Sequence, residues 1–163
     1  MPETAALDPE RLMHVLNKHK VKFVLIGALA ARLHGFPRLT ADADITPATD
    51  NQNLDRLASA LRELHARIYT ESIPEGLDFD CSRVMLLRAK TWNLVTDAGR
   101  LDLVFAPAEI DYDDLAKNAE RFMAFGVTFL AASVDDIIRL KEAAGRPKDR
   151  DDVAILKAMR RRS

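Results

Sequence analysis

The sequence has little of what builds covalent or preformed metal frameworks. Its single cysteine, Cys81, excludes an internal disulfide and a cysteine-based zinc cluster. The four histidines, His14, His19, His34 and His65, fall at no metal-ligand spacing. Long apolar runs are missing: the longest, residues 23–31, is too short to cross a bilayer, so no membrane partner is expected. The opening MPETAALDPERL has neither the basic start nor the apolar centre of a secretion signal. An excess of one charge is missing too. The 24 Lys and Arg stand against 25 Asp and Glu, a net charge of −1, so any contact with RNA must be local. No internal repeat or low-complexity linker interrupts the chain. These absences lead us to expect a cytoplasmic protein. Its 163 residues are a one-domain length, and 48% hydrophobic residues suffice for a core.

What is present centres on residues 23–45, FVLIGALAARLHGFPRLTADADI. Phe23-Val24-Leu25-Ile26 reads as a strand buried on both faces, reaching back to Val21. Gly27-Ala28 follows at a strand-to-helix turn, where small residues let a phosphate approach backbone N–H groups. A short helix is expected over residues 29–34, ended by Gly35. Thr40-Ala41-Asp42-Ala43-Asp44-Ile45 then reads as a strand. In a strand, residues i and i+2 share a face about 6.6 Å apart, so Asp42 and Asp44 point the same way. Two ionised carboxylates about 5 Å apart repel by about 3 kcal/mol at an effective dielectric of about 20. A divalent cation is the usual reason to keep such a pair, and Mg²⁺ shares its other positions with water and substrate phosphates. Arg38 and Thr40 flank the aspartates. Arg38 either contacts phosphate as a planar fork or neutralises Asp42 and Asp44. His34 reads as a cap or packing residue rather than a metal ligand.

Along the rest of the chain, Asp8-Pro9 starts a helix running to about His19, with Leu12, Val15 and Leu16 inward. Thr49 or Asp50 caps a helix over residues 51–66, in which Leu54, Leu57, Ala58, Leu61 and Leu64 recur at helical spacing. Residues 67–70 read as a short strand, 71–80 as a mobile loop that could border a substrate site, and 82–88 as a short helix. Residues 91–96 and 100–105 form a hairpin turning at Asp97-Ala98-Gly99. Leu101, Leu103 and Phe105 share one face of its second strand; Asp102 lies on the other with Arg100 and Val104. An aspartate within an apolar strand is costly unless something binds it. Asp102 is therefore the candidate third carboxylate, the alternative being an ion pair with an arginine. Trp92 reads as core. A helix over residues 111–118, strands over 121–125 and 127–131, and a helix over 134–144 capped by Ser133 and ended by Gly145 complete the order. Residues 146–152 read as a charged corner before a last helix that ends near Met159. Lys141, Arg146 and Lys148 gather near that corner and could bind a triphosphate; Arg160-Arg161-Arg162 is a small basic patch.

These residues together resemble the nucleotidyltransferase superfamily, whose fold includes DNA polymerase β. Its signature is a hydrophobic residue, Gly, then Gly or Ser, a spacer, and Asp-x-Asp/Glu. Here Ile26-Gly27-Ala28 is followed by thirteen residues and then Asp42-Ala43-Asp44. Asp102, in Gly99-Arg100-Leu101-Asp102-Leu103, matches the third family carboxylate, on a later strand. The tail from Leu140-Lys141 through Gly145-Arg146-Pro147-Lys148-Asp149 to Asp152-Val153 resembles the AbiEii-type nucleotidyltransferases, which include toxins of type IV toxin–antitoxin systems. The chain departs from the pattern at Ala28, which offers a backbone N–H but no hydroxyl, so weakened rather than abolished nucleotide binding is expected.

The resemblance implies an α+β fold: a mixed sheet flanked by helices, in one domain with a core over residues 21–132 and C-terminal helices over 133–160 packed on it. It implies metal-dependent transfer of a nucleoside monophosphate from ATP or another nucleoside triphosphate, with release of pyrophosphate. Asp42, Asp44 and Asp102 would be the catalytic, metal-holding carboxylates for two Mg²⁺ ions, or Mn²⁺. Gly27, Ala28, Arg38, Thr40, Lys141 and Lys148 would bind the nucleotide. The acceptor would be a tRNA 3′ end, a protein or a small molecule, with an antitoxin protein as a further partner. The alternative is a catalytically silent nucleotide-binding or interaction module of the same fold. A metal-dependent nuclease ranks below both, because neither Asp44 nor Asp102 is followed two residues on by lysine.

Overall fold

The computed structural model describes residues 6–162; residues 1–5 of the opening stretch and Ser163 lie outside the described residues. The helices are α1 (Pro9–Lys18), α2 (Gly27–Leu33), α3 (Asn51–Glu63), α4 (Arg83–Leu86), α5 (Tyr112–Asn118), α6 (Val134–Ala144) and α7 (Pro147–Arg162). The strands are β1 (Phe23–Ile26), β2 (Asp42–Pro47), β3 (Arg67–Ile68), β4 (Thr91–Thr96), β5 (Gly99–Val104), β6 (Glu120–Ala124) and β7 (Val127–Ala131). A 3₁₀ turn, Pro107–Glu109, follows β5. The strands form one sheet in the order β3-β4-β5-β2-β1-β7-β6. It is mixed: β1 runs antiparallel to β2 and parallel to β7, and β2 runs parallel to β5. This is an α+β fold with a seven-stranded mixed sheet flanked by helices. No described helix is long and apolar enough to cross a membrane.

Period-2 alternation separates the two faces of β5 and of the start of β2, while β1 is buried on both faces. The register aligns Leu25 with Ile45 and Ile45 with Leu103, and all three are fully buried. They belong to one core with Leu12 and Leu16 of α1 and Leu54, Leu57 and Leu61 of α3. At about 25 cal/mol per Å² of apolar surface, this shared burial is what fixes the register, since a one-residue slip would turn leucines outward and aspartates inward. Buried Asn53 ties the start of α3 to the sheet. Its Nδ2 donates to Lys22 O (3.0 Å) and Ala48 O (2.7 Å), and its Oδ1 accepts from Lys22 N (2.7 Å).

Helix ends follow local capping chemistry. Asp8, Asp50, Ser82, Asp111 and Ser133 each accept a hydrogen bond from the N–H three residues on. Gly145 closes α6 at φ +64°, where a side chain would be strained. The ends that differ from expectation are instructive. α2 starts at Gly27, two residues early, and α3 stops at Glu63. Residues 146–152 are not a corner: α7 begins at Pro147, and Asp149 Oδ2 accepts from Arg146 N (3.3 Å) and closes its first turn. The loop over residues 71–80 folds back on β3 through the bridge of Ile68 with Leu77, at the sheet edge.

Candidate active site

Two neighbouring strands bring the aspartates together. In the β2–β5 ladder Asp44 stands opposite Asp102, and Asp42 opposite Arg100. Adjacent strands lie about 4.8 Å apart, so three carboxylates crowd one patch of the sheet. Burial pushes the Asp44 carboxyl up to about 7, and the neighbouring Asp102 charge adds to the effect. Burial also raises Asp102, which Arg100 partly offsets. Arg100 Nη2 lies 3.4 Å from Asp102 Oδ1, so the ion pair weighed for Asp102 is present alongside the carboxylate cluster.

The turn after β1 completes this patch. Ile26 pairs with Asp44, and Gly27 follows at φ +71°. A Cβ on Gly27 would lie 2.3 Å from Asp44 Oδ2. The position therefore needs glycine both for its backbone and for its closeness to the carboxylate. Gly27 and Ala28 form the start of α2, where N–H groups have no partner within the helix. Thr40 Oγ1 is engaged locally: it donates to Asp42 O (3.0 Å) and accepts from Asp42 N (3.2 Å), shaping the entry to β2.

A cleft of about 830 Å³ lies over the patch. It brings together Gly27, Ala28, Thr40, Asp42, Asp44 and Asp102 with Arg38, Lys141 and Lys148. Lys141, Arg146 and Lys148 gather at this cleft with Arg38, and three of these four cations are paired with carboxylates of α7. Arg38 neutralises neither Asp42 nor Asp44: its Nη1 donates to Asp152 Oδ2 (3.1 Å), and its Nη2 lies 2.9 Å from Asp152 Oδ1 without hydrogen-bond alignment. Lys141 Nζ donates to the same Asp152 Oδ2 (3.3 Å) and lies 3.8 Å from Asp149 Oδ1. Arg146 Nε donates to Asp149 Oδ2 (2.7 Å). Asp149 and Asp152 are both buried. Only their spacing of three on one helix face, beside buried Val153 and Leu156, could have marked them as inward-facing. Lys148 is exposed at the cleft and makes no ion pair among the described residues. Lys90, which the sequence did not mark, lines the cleft just before β4, where its carbonyl accepts from Phe105 N (2.8 Å). The cleft wall beyond β5 is the turn after Phe105, where Ala106, Ala108 and Glu109 all have positive φ.

Other candidates lie elsewhere. The 71–80 loop contributes nothing to the cleft. Trp92 is packed: its Nε1 donates to Leu86 O (3.0 Å) and its ring stacks on Phe79. His34 Nε2 bonds Ala132 O (2.8 Å), and its ring meets Phe122 edge-on. Arg160 of the basic tail pairs with Asp135 (2.8 Å).

Among the described residues, no three His, Cys, Asp or Glu side chains form a ready-made metal cage. The donors on the sheet are all carboxylate oxygens, with burial holding Asp44 against ionisation. Mg²⁺ characteristically uses one or two carboxylates and completes its shell with water and substrate phosphates. The residues present fit that ion better than one needing a full protein cage.

The fold has known relatives. LnuA, a lincosamide antibiotic adenylyltransferase whose structure is lincomycin-bound, superposes with a TM-score of 0.60 at 14% identity, over 94% of this chain and 99% of its own. The proposed nucleotidyltransferase TM1012 from Thermotoga maritima gives 0.54 at 16% identity, over 92% and 94%. An antigenic nucleotidyltransferase-like protein from Paracoccidioides brasiliensis gives 0.53 at 20%, over 95% and 78%. The chain has the nucleotidyltransferase fold. No protein-family model and no curated protein matches its sequence. At these identities the likeness shows this nucleotidyltransferase fold alone.

Proposed function

We propose that the protein transfers a nucleoside monophosphate from a nucleoside triphosphate to an acceptor hydroxyl. One observation carries this reading: Asp42, Asp44 and Asp102 are gathered on two adjacent strands at the base of a cleft that also holds the Gly27 turn and Lys148. Asp42, Asp44 and Asp102 would hold two Mg²⁺ ions, or Mn²⁺, which supply charge to the triphosphate and stabilise the attacking and leaving oxygens. The N–H groups of Gly27 and Ala28 would orient phosphate oxygens. Lys148, and Lys141 through whatever charge Asp149 and Asp152 leave unspent, would face the triphosphate. Asp102 would accept the proton of the acceptor hydroxyl as that oxygen bonds the α-phosphorus. The bond from that phosphorus to the bridging oxygen breaks, and pyrophosphate leaves.

The fold shared with a lincosamide antibiotic adenylyltransferase supports a small-molecule acceptor. A tRNA 3′ end or a protein hydroxyl are the acceptors implied by the resemblance to AbiEii-type toxins, a setting that would bring an antitoxin partner. A second reading, a nucleotide-binding module without turnover, is favoured by the engagement of Arg38 and Lys141 with buried Asp152.

The test is transfer of label. Purified protein is incubated with Mg²⁺ and each α-³²P nucleoside triphosphate, with total RNA, cell extract or a panel of small hydroxyl compounds. Label moved by wild type, and by neither Asp42→Ala nor Asp102→Ala, supports the transferase, and the labelled species identifies the acceptor. Nucleotide binding with no label moved supports the silent module. Absence of both nucleotide and metal binding removes both readings.

A further inference from the structure

Arg100 belongs to none of the roles assigned above, yet it is among the most firmly held cations near the cleft. It stands opposite Asp42 in the β2–β5 ladder and two residues before Asp102, on the same strand face. Its Nε donates to Leu94 O at 3.2 Å. Its Nη2 lies 3.4 Å from Asp102 Oδ1. Its guanidinium carbon sits 3.7 Å from the centre of the Tyr69 ring. The Arg100 and Asp102 side chains are only 20% and 16% exposed. A carbonyl, a carboxylate and an aromatic face thus fix the plane of a group whose charge no accessible pH removes.

A fixed positive charge beside three carboxylates has two effects. It engages one oxygen of Asp102, which orients the carboxyl while Asp102 still lines the cleft. It also opposes any further cation at the cluster, and Coulomb interactions over such distances are large where water is scarce. We propose that Arg100 is a positioning residue and a resident counter-charge: it orients Asp102 through Oδ1 and holds down the affinity of the aspartate cluster for free divalent cations. The metal is then taken up mainly together with the triphosphate, whose own charge outweighs the guanidinium. This inference rests on the reading of Asp42, Asp44 and Asp102 as the metal-holding set.

The experiment is a Mn²⁺ titration of the nucleotide-free protein, following free Mn²⁺ by electron paramagnetic resonance. Wild type is compared with Arg100→Met, Arg100→Lys, Asp44→Asn and the Arg100→Met/Asp44→Asn double variant. Arg100→Met should bind Mn²⁺ about tenfold more tightly than wild type. Arg100→Lys, which keeps the charge, should stay near wild type in binding while losing transfer activity, because an ammonium cannot reproduce the braced plane. Arg100→Gln carries the same expectation as Arg100→Met and replaces it if the methionine variant does not fold. Equal or weaker Mn²⁺ binding by the neutral variants, with Asp44→Asn still weakening wild type, overturns the role of Arg100 and leaves the proposed function standing. Binding that Asp44→Asn does not change in either background overturns the aspartate site itself, and the inference with it.

Discussion

Gly27 and Asp44 compete for one space: a Cβ on Gly27 would lie 2.3 Å from Asp44 Oδ2 and 3.0 Å from its carboxyl carbon. In Gly27→Ala either the carboxylate or the turn must move. The backbone at φ +71° adds about 1 kcal/mol of strain for a residue with a side chain. We expect a melting temperature lower by about 3 °C or more, unchanged far-ultraviolet circular dichroism, and transfer reduced by about a hundredfold. Full activity would show that the site does not depend on where Asp44 points.

Asp44 also sets a pH dependence. Its carboxyl is raised from 3.8 in the unfolded chain to about 7 in the folded one, first by burial and then by Asp102. Between those values the native state binds more protons than the unfolded state, so the metal-free protein loses stability as pH rises through that window. A metal requires the ionised form, so Mg²⁺ should raise the melting temperature more at about pH 8 than at about pH 5.5. Thermal melts with and without Mg²⁺ at the two pH values check this. Equal increments would show that the metal binds elsewhere.

Asp152 is a stability residue in the wall of the cleft. It is 3% exposed and engages both Arg38 and Lys141. Asp152→Ala leaves Lys141 with only the longer contact to Asp149, and Arg38 with no carboxylate among the described residues. Breaking such a pair should cost about 3 kcal/mol, the low end for buried pairs, because Arg38 is half exposed. Urea unfolding measures it; a change within about 0.5 kcal/mol would place the pair with the weak surface bridges.

Lys148 should behave in the opposite way. It is exposed at the cleft and bonded to nothing among the described residues. Lys148→Ala should leave stability within about 0.5 kcal/mol of wild type. It should raise KM for the nucleoside triphosphate by about tenfold, the worth of one charge-assisted contact. Steady-state kinetics on a protein with an unchanged melting curve separates it from Asp152→Ala.

Elements defined by neighbours in sequence could be read from the sequence. Ser133 and Gly145 bound α6 at the expected ends, because a hydroxyl cap and a left-handed glycine act within one turn. The alternation of Leu101, Asp102, Leu103 and Val104 likewise set the faces of β5. What depended on distant partners could not be read. Nothing within the segments themselves says that β2 lies parallel to β5, or that Asp44 meets Asp102 rather than another strand. The charged run over residues 148–152 concealed the first turns of α7, whose start Pro147 signals, and the partners of Arg38 and Lys141 come from that helix. Positive φ at Ala106 and Ala108 has no local signature, since alanine rarely adopts it.

The long chain path between the two halves of the aspartate cluster has a practical side. Asp42 and Asp44 precede the loop over residues 71–80, and Asp102 follows it. A cut in that loop, at the far edge of the sheet and outside the cleft, would divide the carboxylates between two fragments. Neither piece alone would carry all three carboxylates, because the β2–β5 ladder that gathers them joins strands from both sides of the cut.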